Sequence, residues 1–337
     1  MEIATINPDE DERGLADWFG IWRATDLEKF ADDVGWDEQD IRAQSHDTTT
    51  VMRHLLARAD DGSAVAAALF SLPQLDNLHA AWLDVRVDPS QRRLGYGRTM
   101  VQYVEAETRR VGRTVINGIN DMPVAQQDSH PAPLFCRAMA FEVQHMGHRR
   151  ALGLPLPPER AAALWRDVRD AKGASDYRVI RLKGRWPDQF VEDQCALERA
   201  MSTDQPLGDS QATEEVWDAA RIDDQAQHLA DQGLISLVAA AQHIESGQLV
   251  ACSRLVYSDR RPSEAWQWAT IVLEEHRGHR LGLAVKLANL DFLAQELPTA
   301  RRVITSNAAV NAPMIAVNDL MGFEIDAIGA FWQKTLT

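Results

Sequence analysis

The sequence reads Arg92-Arg93-Leu94-Gly95-Tyr96-Gly97 in one place and Arg277-Gly278-His279-Arg280-Leu281-Gly282 in a second place further along the chain. The spacing from Arg92 to Arg277 is the same as that from Val65 to Val250, and each of these valines lies in an apolar run. A spacing that stays constant across separate elements is typical of an internal repeat. We therefore predict that one domain occurs twice in this chain of 337 residues.

A second repeated motif defines the extent of the two copies. Met139-Ala140-Phe141-Glu142 corresponds to Met321-Gly322-Phe323-Glu324, at a spacing slightly shorter than that of the loops. Between the copies, a proline-rich break precedes a stretch with a helical pattern. We predict an N-terminal domain at residues 1–152, a linker and connecting helix at 153–176, and a C-terminal domain at 177–337.

The composition excludes several classes of protein. Asp and Glu number 50 against 35 Lys and Arg, so the formal charge is -15. Such a charge repels nucleic acid and anionic lipid, and neither is expected as a partner. The apolar runs are too short to span a membrane, and the start of the chain does not resemble a signal peptide. Three widely spaced cysteines are typical of a reducing compartment. We predict a cytoplasmic protein, either a monomer or a homodimer.

The repeated loop has the composition of an anion-binding site. In each copy a helical stretch leads into two strands, a third strand, the loop, an amphipathic helix, a short strand and a last helix. A loop rich in Gly and Arg between a strand and a helix lets backbone N–H groups converge on an anion. The arginines add charge-assisted hydrogen bonds to phosphate oxygens. The sequence therefore predicts a pyrophosphate-type site in each copy.

Two common phosphate motifs and a metal site do not fit. A dinucleotide fingerprint needs a third glycine, but Gly95-Tyr96-Gly97-Arg98-Thr99-Met100 ends in methionine. A nucleoside triphosphate loop needs Gly-Lys followed by Ser or Thr, which neither loop contains. The spaced pairs His145 and His148, and His276 and His279, have no acidic or cysteine partner in a ligand pattern, so we predict no metal.

The first loop instead resembles the acyl-CoA signature of the GNAT superfamily of N-acyltransferases, Gln/Arg-x-x-Gly-x-Gly/Ala. The second loop matches this signature except at Arg280, where the middle glycine is expected. With Asn307, Asn311 and Asn318 downstream, the C-terminal copy is similar to actinobacterial tandem GNAT proteins of the mycothiol-synthase-like kind. The resemblance covers most of both copies.

The resemblance implies an α/β (α+β) fold class, with two tandem GNAT folds. Each would be a bent mixed β-sheet flanked by helices, with strands 4 and 5 splayed apart. Acetyl-CoA, the implied acyl donor, would lie in that opening, with its pyrophosphate on the loop amides and its pantetheine along the fourth strand. The three asparagines are spaced to lie along one side of a helix, which favours cofactor contact. The implied cofactor-binding residues are Val85, Val87, Arg92, Arg93, Leu94, Gly95, Tyr96, Gly97, Arg98, Thr270, Val272, Arg277, Gly278, His279, Arg280, Leu281, Gly282, Leu283, Asn307, Asn311 and Asn318.

The resemblance also implies direct attack by an amine, which needs a base for the amine and an acid for the departing thiolate. Members of the family often have a tyrosine as this acid, four residues before the Gly-Phe pair. Here that position is Cys136 in the first copy and Asn318 in the second, and Asn318 is retained as a candidate. The candidate bases are carboxylates on or beside the fourth strands, namely Asp84, Glu264, Glu274 and Glu275.

We therefore expect an acetyl-CoA-dependent N-acetyltransferase that acts on the primary amine of a small molecule. By analogy with the tandem family, the C-terminal copy is expected to be catalytic, while the N-terminal copy binds cofactor or supports the fold. One alternative is a non-catalytic acyl-CoA-binding sensor or scaffold. A second alternative is an acetyltransferase for proteins or peptides. Trp266 and Trp268 are candidates either for a substrate pocket or for the core.

Overall fold

The structure of the protein is a computed structural model, and it describes residues 1–30, 35–204 and 213–336. The strands are β1 (Glu2–Ile6), β2 (Thr50–Arg58), β3 (Ala64–Pro73), β4 (Ala80–Val87), β5 (Val115–Pro123), β6 (Glu142–Gly153), β7 (Tyr177–Lys183), β8 (Leu234–His243), β9 (Leu249–Ser258), β10 (Glu264–Val272), β11 (Arg302–Ala308) and β12 (Glu324–Thr335). The helices are α1 (Glu12–Lys29), α2 (Glu38–Gln44), α3 (Tyr96–Arg110), α4 (Pro131–Ala138), α5 (Pro158–Arg169), α6 (Val191–Asp204), α7 (Ala219–Asp231), α8 (Leu281–Glu296) and α9 (Ala312–Met321). None of the helices in the described ranges is both long and apolar enough to cross a membrane.

The described residues form two compact units, each with a mixed sheet. In the first unit the strands pair in the order β1-β2-β3-β4-β5-β12, and β4 with β5 is the parallel pair. In the second unit the order is β7-β8-β9-β10-β11-β6, and β10 with β11 is the parallel pair. Helices flank both sheets, so the predicted fold class is confirmed.

Each sheet is completed by a strand from the other copy of the repeat. Residues Ala327–Thr335 of β12 pair antiparallel with β5, and residues Gly147–Gly153 of β6 pair antiparallel with β11. The first unit therefore contains residues 1–146 and 327–336, and the second contains 147–204 and 213–326. These units differ from the contiguous halves that the repeat spacing predicts, because the last strand of each copy finds its partner in the other copy.

The core of the first unit lies on both faces of its sheet. Trp18 and Trp22 of α1 stack with ring centroids 4.3 Å apart and pack with β2 and β3 on one face. Met100 and Val104 of α3 are fully buried on the other face. Trp332 of β12 is buried in that same cluster. The C-terminal strand thus supplies part of the hydrophobic core of the first unit.

The second unit is organised around α8. This helix is apolar on almost every side, and ten of its residues are buried. It packs against β8 and β9, and α5 covers its outer side. A helix that is hydrophobic all round is buried all round. Two of its buried residues, Lys286 and Asn289, are nevertheless polar and need partners inside the protein.

Burial of His54 is expected to make the first unit sensitive to acid. His54 is 1% exposed, and its ring packs edge-on against Trp18. Burial lowers the pKa of His54 from its ordinary value of 6.5 to about 4. Because the folded-state pKa is the lower one, the free energy of unfolding is at its full value above pH 6.5 and falls as the pH drops towards 4. The expected loss from this group is about 3 kcal/mol.

This expectation is tested by denaturant unfolding at pH 7 and pH 4 in the wild type and in His54→Phe. The phenylalanine keeps a ring against Trp18 but has no proton to bind. The wild type should lose more stability between the two pH values than the variant does. Equal losses in both proteins would show that His54 does not carry the pH dependence.

Candidate active site

The two central parallel strands separate part of the way along in each unit. In the first unit, β4 pairs with β5 only from Ala80 to Trp82. In the second, β10 pairs with β11 only from Glu264 to Gln267. Beyond these points lie cavities of about 560 Å³ in the first unit and about 500 Å³ in the second. The predicted splaying of strands 4 and 5 is therefore confirmed in both copies.

The repeated loops have the same backbone conformation although their glycines differ in position. The left-handed region is occupied by Arg93 and Gly95 in the first loop, with φ of 68° and 94°. It is occupied by Gly278 and Arg280 in the second loop, with φ of 86° and 58°. Each loop therefore has one glycine and one arginine at the two positions that require a positive φ. The departure from the signature at Arg280 leaves the shape of the loop intact.

Both loops end in a helix whose first turn has no side-chain cap. Gly95 precedes α3 and Arg280 precedes α8, and neither provides a capping hydrogen bond from its side chain. The first N–H groups of a helix have no partner within the helix. These groups and the partial positive charge of the helix end form a site for an anion. Residues at the start of both helices line the two cavities.

The two loops differ in how much space surrounds the last glycine. A Cβ atom on Gly97 would lie 3.2 Å from the ring of Phe135 and 3.3 Å from Val87. A Cβ atom on Gly282 would meet only Val272, at 3.7 Å. The helix start in the first unit is therefore crowded by Phe135, whereas that in the second unit is open.

The leading arginine of each loop pairs with a carboxylate from the first of the two helices before the hairpin. Arg92 bonds to Glu28 of α1, and Arg277 bonds to Asp204 of α6. All four side chains are at least one-third exposed. Ion pairs of this kind contribute little to stability, so both arginines can exchange the carboxylate for a phosphate at low cost.

A β-bulge distinguishes the fourth strand of the second unit. The register between β10 and β9 shifts between Gln267 and Ala269, which leaves Trp268 as the extra residue. The side-chain amide of Gln267 donates a hydrogen bond of 2.6 Å to the carbonyl of Ala269. In the first unit, β4 pairs with β3 without a shift. Bulges of this kind are common beside active sites, where they redirect a strand and its side chains.

Most of the predicted cofactor-binding residues line the cavities. In the first unit these are Val85, Val87, Arg92, Arg93, Gly95, Tyr96, Gly97 and Arg98. In the second unit they are Thr270, Val272, Arg277, Gly278, Arg280, Leu281, Gly282, Leu283, Asn307 and Asn311. Leu94 is 63% exposed, and His279 bonds through Nδ1 to the Lys172 carbonyl, so both lie outside the lining. Of the two tryptophans, Trp268 lines the second cavity and Trp266 does not.

The three asparagines do not share a helix, so this part of the sequence interpretation was wrong. Asn307 lies in β11, where it is paired with His148. Asn311 caps the start of α9 by accepting a hydrogen bond of 3.2 Å from the Met314 amide. Asn318 lies within α9 and is completely buried. Tertiary contact still brings two of them together, because Asn318 Nδ2 donates to Asn307 Oδ1 at 3.2 Å.

The candidate bases occupy different environments. Asp84 lines the first cavity but accepts two hydrogen bonds from Arg86, at 2.8 and 2.9 Å, and Arg86 also bonds to Asp26. Glu264 lies at the start of β10, is buried, and forms an ion pair of 2.7 Å with Arg302 outside the second cavity. The exposed pair Glu274 and Glu275 follows the end of β10 and also lies outside the lining.

A buried lysine in the second cavity was missed by the sequence analysis. Lys286 lies in the wall of the cavity and is 1% exposed. Its Nζ donates a hydrogen bond of 2.9 Å to Asn318 Oδ1 and lies 4.7 Å from the centre of the Phe323 ring. Burial lowers the pKa of Lys286 to about 7. The sequence did carry a signal, since Lys286 and Asn289 are the two polar side chains in an otherwise apolar stretch from Leu281 to Leu290.

The comparisons with known proteins agree with this geometry. Residues 15–125 match the model of the acetyltransferase (GNAT) family. A tandem GNAT protein from the clavulanic acid biosynthesis pathway is similar in structure, with a TM-score of 0.80 and 23% identity over 99% of this chain and 98% of that one. A GCN5-related N-acetyltransferase from Sphaerobacter thermophilus has a TM-score of 0.67 and 14% identity, over 99% of this chain and 95% of that one. A comparison of the sequence with curated proteins gives no significant match.

The chain therefore has the tandem GNAT fold, and its residues 15–125 are an acetyltransferase domain of the GNAT family. The family match therefore identifies an acyltransferase domain in this stretch of the chain. The matched segment ends within the first unit, which contains the loop with both signature glycines.

Proposed function

We propose that the protein is an acetyl-CoA-dependent N-acetyltransferase for the primary amine of a small molecule, and that the second unit carries out the reaction. The observation that carries this proposal is a single cavity in the second unit that joins an uncapped helix start to a bulged strand. The start of α8 lies at one end of this cavity, and Gln267 to Val272 form a wall of it. The first unit has the uncapped helix start but no bulge.

The residues of the second cavity suit acetyl-CoA. The amides from Gly278 to Leu283, with Arg277, would hold the pyrophosphate. The strand beyond Gln267 is free of β11 and would hold the pantetheine through its backbone. Thr270 Oγ1 is buried and has no hydrogen-bond partner among the described residues, so a ligand with polar groups would satisfy it.

When bound, acetyl-CoA supplies a thioester whose carbonyl carbon is open to attack by an amine. Trp268, Met314 and Val317 add apolar surface to the cavity, which keeps bulk water from the acyl group. A volume of about 500 Å³ that also receives the pantetheine leaves room for a small acceptor. The formal charge of -15 favours the approach of a cationic amine.

The first unit is proposed to support the fold or to bind acyl-CoA without turnover. Phe135 crowds the helix start at Gly97. Asp84 is held by Arg86 and so is poorly placed to accept a proton from an amine.

Cys136 and the other two cysteines have free thiols, which supports a cytoplasmic location for the reaction.

The proposal is tested by titration calorimetry with acetyl-CoA and by an assay for free CoA thiol with a panel of amines. The panel includes amino acids, amino sugars, polyamines and a peptide with a free N-terminus. We expect acetyl-CoA to bind, and thiol to be released only when a small primary amine is present. The same amines with dimethylated nitrogen serve as controls and should release none.

Other outcomes point to the alternatives. Tight binding of acetyl-CoA with no thiol release on any amine would favour an acyl-CoA sensor or scaffold. Release with the peptide alone would favour a protein or peptide acetyltransferase. No binding of acetyl-CoA would contradict the proposal as a whole.

A further inference from the structure

Lys286 is the buried amine in the cavity wall of the second unit. An ammonium group carries three N–H donors and is costly to bury unless they have partners. The structure gives Lys286 Nζ one hydrogen bond, to Asn318, and one aromatic ring, that of Phe323. Both of these partners are neutral. Among the residues that the structure describes, no opposite charge offsets the free-energy cost of burying this ammonium group.

Lys286 lines the same cavity as the residues at which β10 and β11 separate. The pairing of β10 with β11 ends at Gln267 and Thr305, and both residues line the same cavity as Lys286. Asn318 links the lysine to this point, because its other amide atom donates to Asn307 on β11. A chain of hydrogen bonds thus runs from Lys286 through Asn318 to the inner end of the opening.

The orientation of the proposed cofactor places its reactive end at that point. The inference rests on the proposed function, in which the phosphates lie at the start of α8. From there an extended chain along β10 runs from Val272 towards Gln267. Five residues of strand span about 16 Å. The group at the far end of such a chain therefore lies where the strands separate, on the side of the cavity that Lys286 and Asn307 share.

We propose that Lys286 is the proton donor to the sulfur atom that leaves during acyl transfer, and that Asn318 and Asn307 position it. Lys286 Nζ gives one proton to sulfur as the carbon–sulfur bond breaks and its electron pair goes to sulfur. The carbon–nitrogen bond of the amide forms in the same reaction, and the attacking nitrogen loses one proton to solvent water. Lys286 regains a proton from solvent, so the overall reaction converts amine and thioester into amide and free thiol.

The environment of Lys286 suits this role. Burial lowers the pKa of Lys286 to about 7, and a general acid works best with a pKa near the working pH. A carboxylate partner would hold the proton on the lysine, whereas the amide of Asn318 does not. Burial is the cause of the lowered pKa of Lys286. Other titratable groups also lie on the elements around the cavity. These groups are Asp204, His276, Arg277, Arg280, His148, Arg150 and Asp319.

The first unit lacks this arrangement. At the spacing of the repeated loops, Val101 takes the place of Lys286, and at the spacing of the repeated Phe-Glu motifs, Cys136 takes the place of Asn318. Burial raises the pKa of Cys136 to about 12, so its thiol is a poor proton donor. The lysine is thus a feature of one unit, the same unit that has the bulged strand.

The first test compares Lys286→Met with the wild type. Methionine is close to lysine in size and removes only the amine. We expect kcat at pH 7 to fall by about 100-fold or more, while the Kd for acetyl-CoA measured by calorimetry changes by less than about threefold, well under 1 kcal/mol. Lys183→Met, on the exposed edge strand β7, is the matched control and should keep the wild-type kcat.

The second test uses Asn318→Asp, which places a carboxylate against the lysine. An opposite charge raises the pKa of an ammonium group. In the wild type, kcat should fall above about pH 7, where Lys286 loses its proton. In Asn318→Asp this fall should move to higher pH by about one unit or more, and the ¹³Cε signal of Lys286 in labelled protein without acetyl-CoA should titrate with the same shift.

The outcomes separate this inference from the proposed function. An unchanged kcat and pH profile in Lys286→Met, with a wild type that turns over an amine, would overturn the role of Lys286 and leave the proposed function standing. A wild type that binds acetyl-CoA but acetylates no amine would overturn both. An Asn318→Asp variant whose profile and lysine titration do not move would also overturn the assignment of the proton donor.

Discussion

Replacing Gly282 by glutamate is expected to weaken acetyl-CoA binding by the second unit by at least about 100-fold, or 2.7 kcal/mol. Gly282 is the second residue of α8, and its backbone needs no glycine-specific conformation. A Cβ atom there meets Val272 at an ordinary contact distance of 3.7 Å. The new carboxylate therefore fits. It interacts with the partial positive charge at the start of α8, which the pyrophosphate would otherwise use. It also repels phosphate at close range.

The fold should tolerate this substitution. An acidic side chain in the first turn of a helix is favourable because it opposes the partial positive charge of the helix end. The melting temperature of Gly282→Glu should therefore be at or above that of the wild type. Loss of binding together with a normal melting temperature, measured by calorimetry on the same preparation, would place the defect in the site and not in the fold.

Two further variants decide what the loss means. Gly282→Gln has the same size without the charge and is expected to bind acetyl-CoA more tightly than Gly282→Glu. Gly97→Glu introduces the charge in the first unit, where Phe135 already crowds the loop. If Gly97→Glu abolishes binding and Gly282→Glu does not, the working site lies in the first unit and the proposal for the second unit fails. If each variant removes half of the bound acetyl-CoA, both units bind it.

The features that could be predicted from the sequence are local in the chain. The repeated loops and the order of elements depend on residues that lie within a few positions of one another. Gly278 and Gly95 mark backbone positions with a positive φ, which favours glycine strongly enough to be visible in a sequence. The loop residues are also close together in the chain, and most of those predicted to bind the cofactor line the cavities.

The features that were missed depend on contacts between distant segments. Glu264 looked available as a base, but its partner Arg302 is 38 residues away and meets it only when β10 and β11 pair. Lys286 was not singled out from the sequence, and it is buried because the surrounding elements cover this part of α8. Burial decides whether such a group is solvated, paired or shifted in pKa, and burial depends on contacts between segments that are distant in the sequence.

The exchange of strands between the copies could not be predicted for a different reason. Both copies have a last strand after the Phe-Glu pair, at Glu142 and Glu324. Because duplicated domains have similar sheets, either strand fits the edge of either sheet by its local pattern. The structure pairs β12 with β5 and β6 with β11. The contiguous boundary near residue 152 follows the repeat, whereas the compact units follow the pairing.

The strand exchange leads to the second large expected effect, which is that a change in the last strand of the chain destabilises the first unit. Trp332 is 2% exposed in the core of that unit, and its indole Nε1 donates a hydrogen bond to Asn120 of β5. Trp332→Ala removes a large buried ring and leaves a cavity, at an expected cost of about 3–5 kcal/mol in the free energy of unfolding. Trp268→Ala is the matched control, because Trp268 is 47% exposed, and it should change stability by no more than about 0.5 kcal/mol.

A chain that ends at residue 326 should show the same effect more strongly. It lacks the part of β12 that pairs with β5 and also the core residues Ala330, Trp332 and Leu336. Limited proteolysis should then cut within residues 1–146 in the shortened chain and spare them in the full chain, because the edge of β5 and part of the core become accessible. A fragment of residues 1–152 that unfolds cooperatively, with the stability of the first unit in the whole protein, would contradict this expectation. In that case the contiguous copy would contain its own complete core, and β12 would add to the sheet without being needed to hold the first unit together.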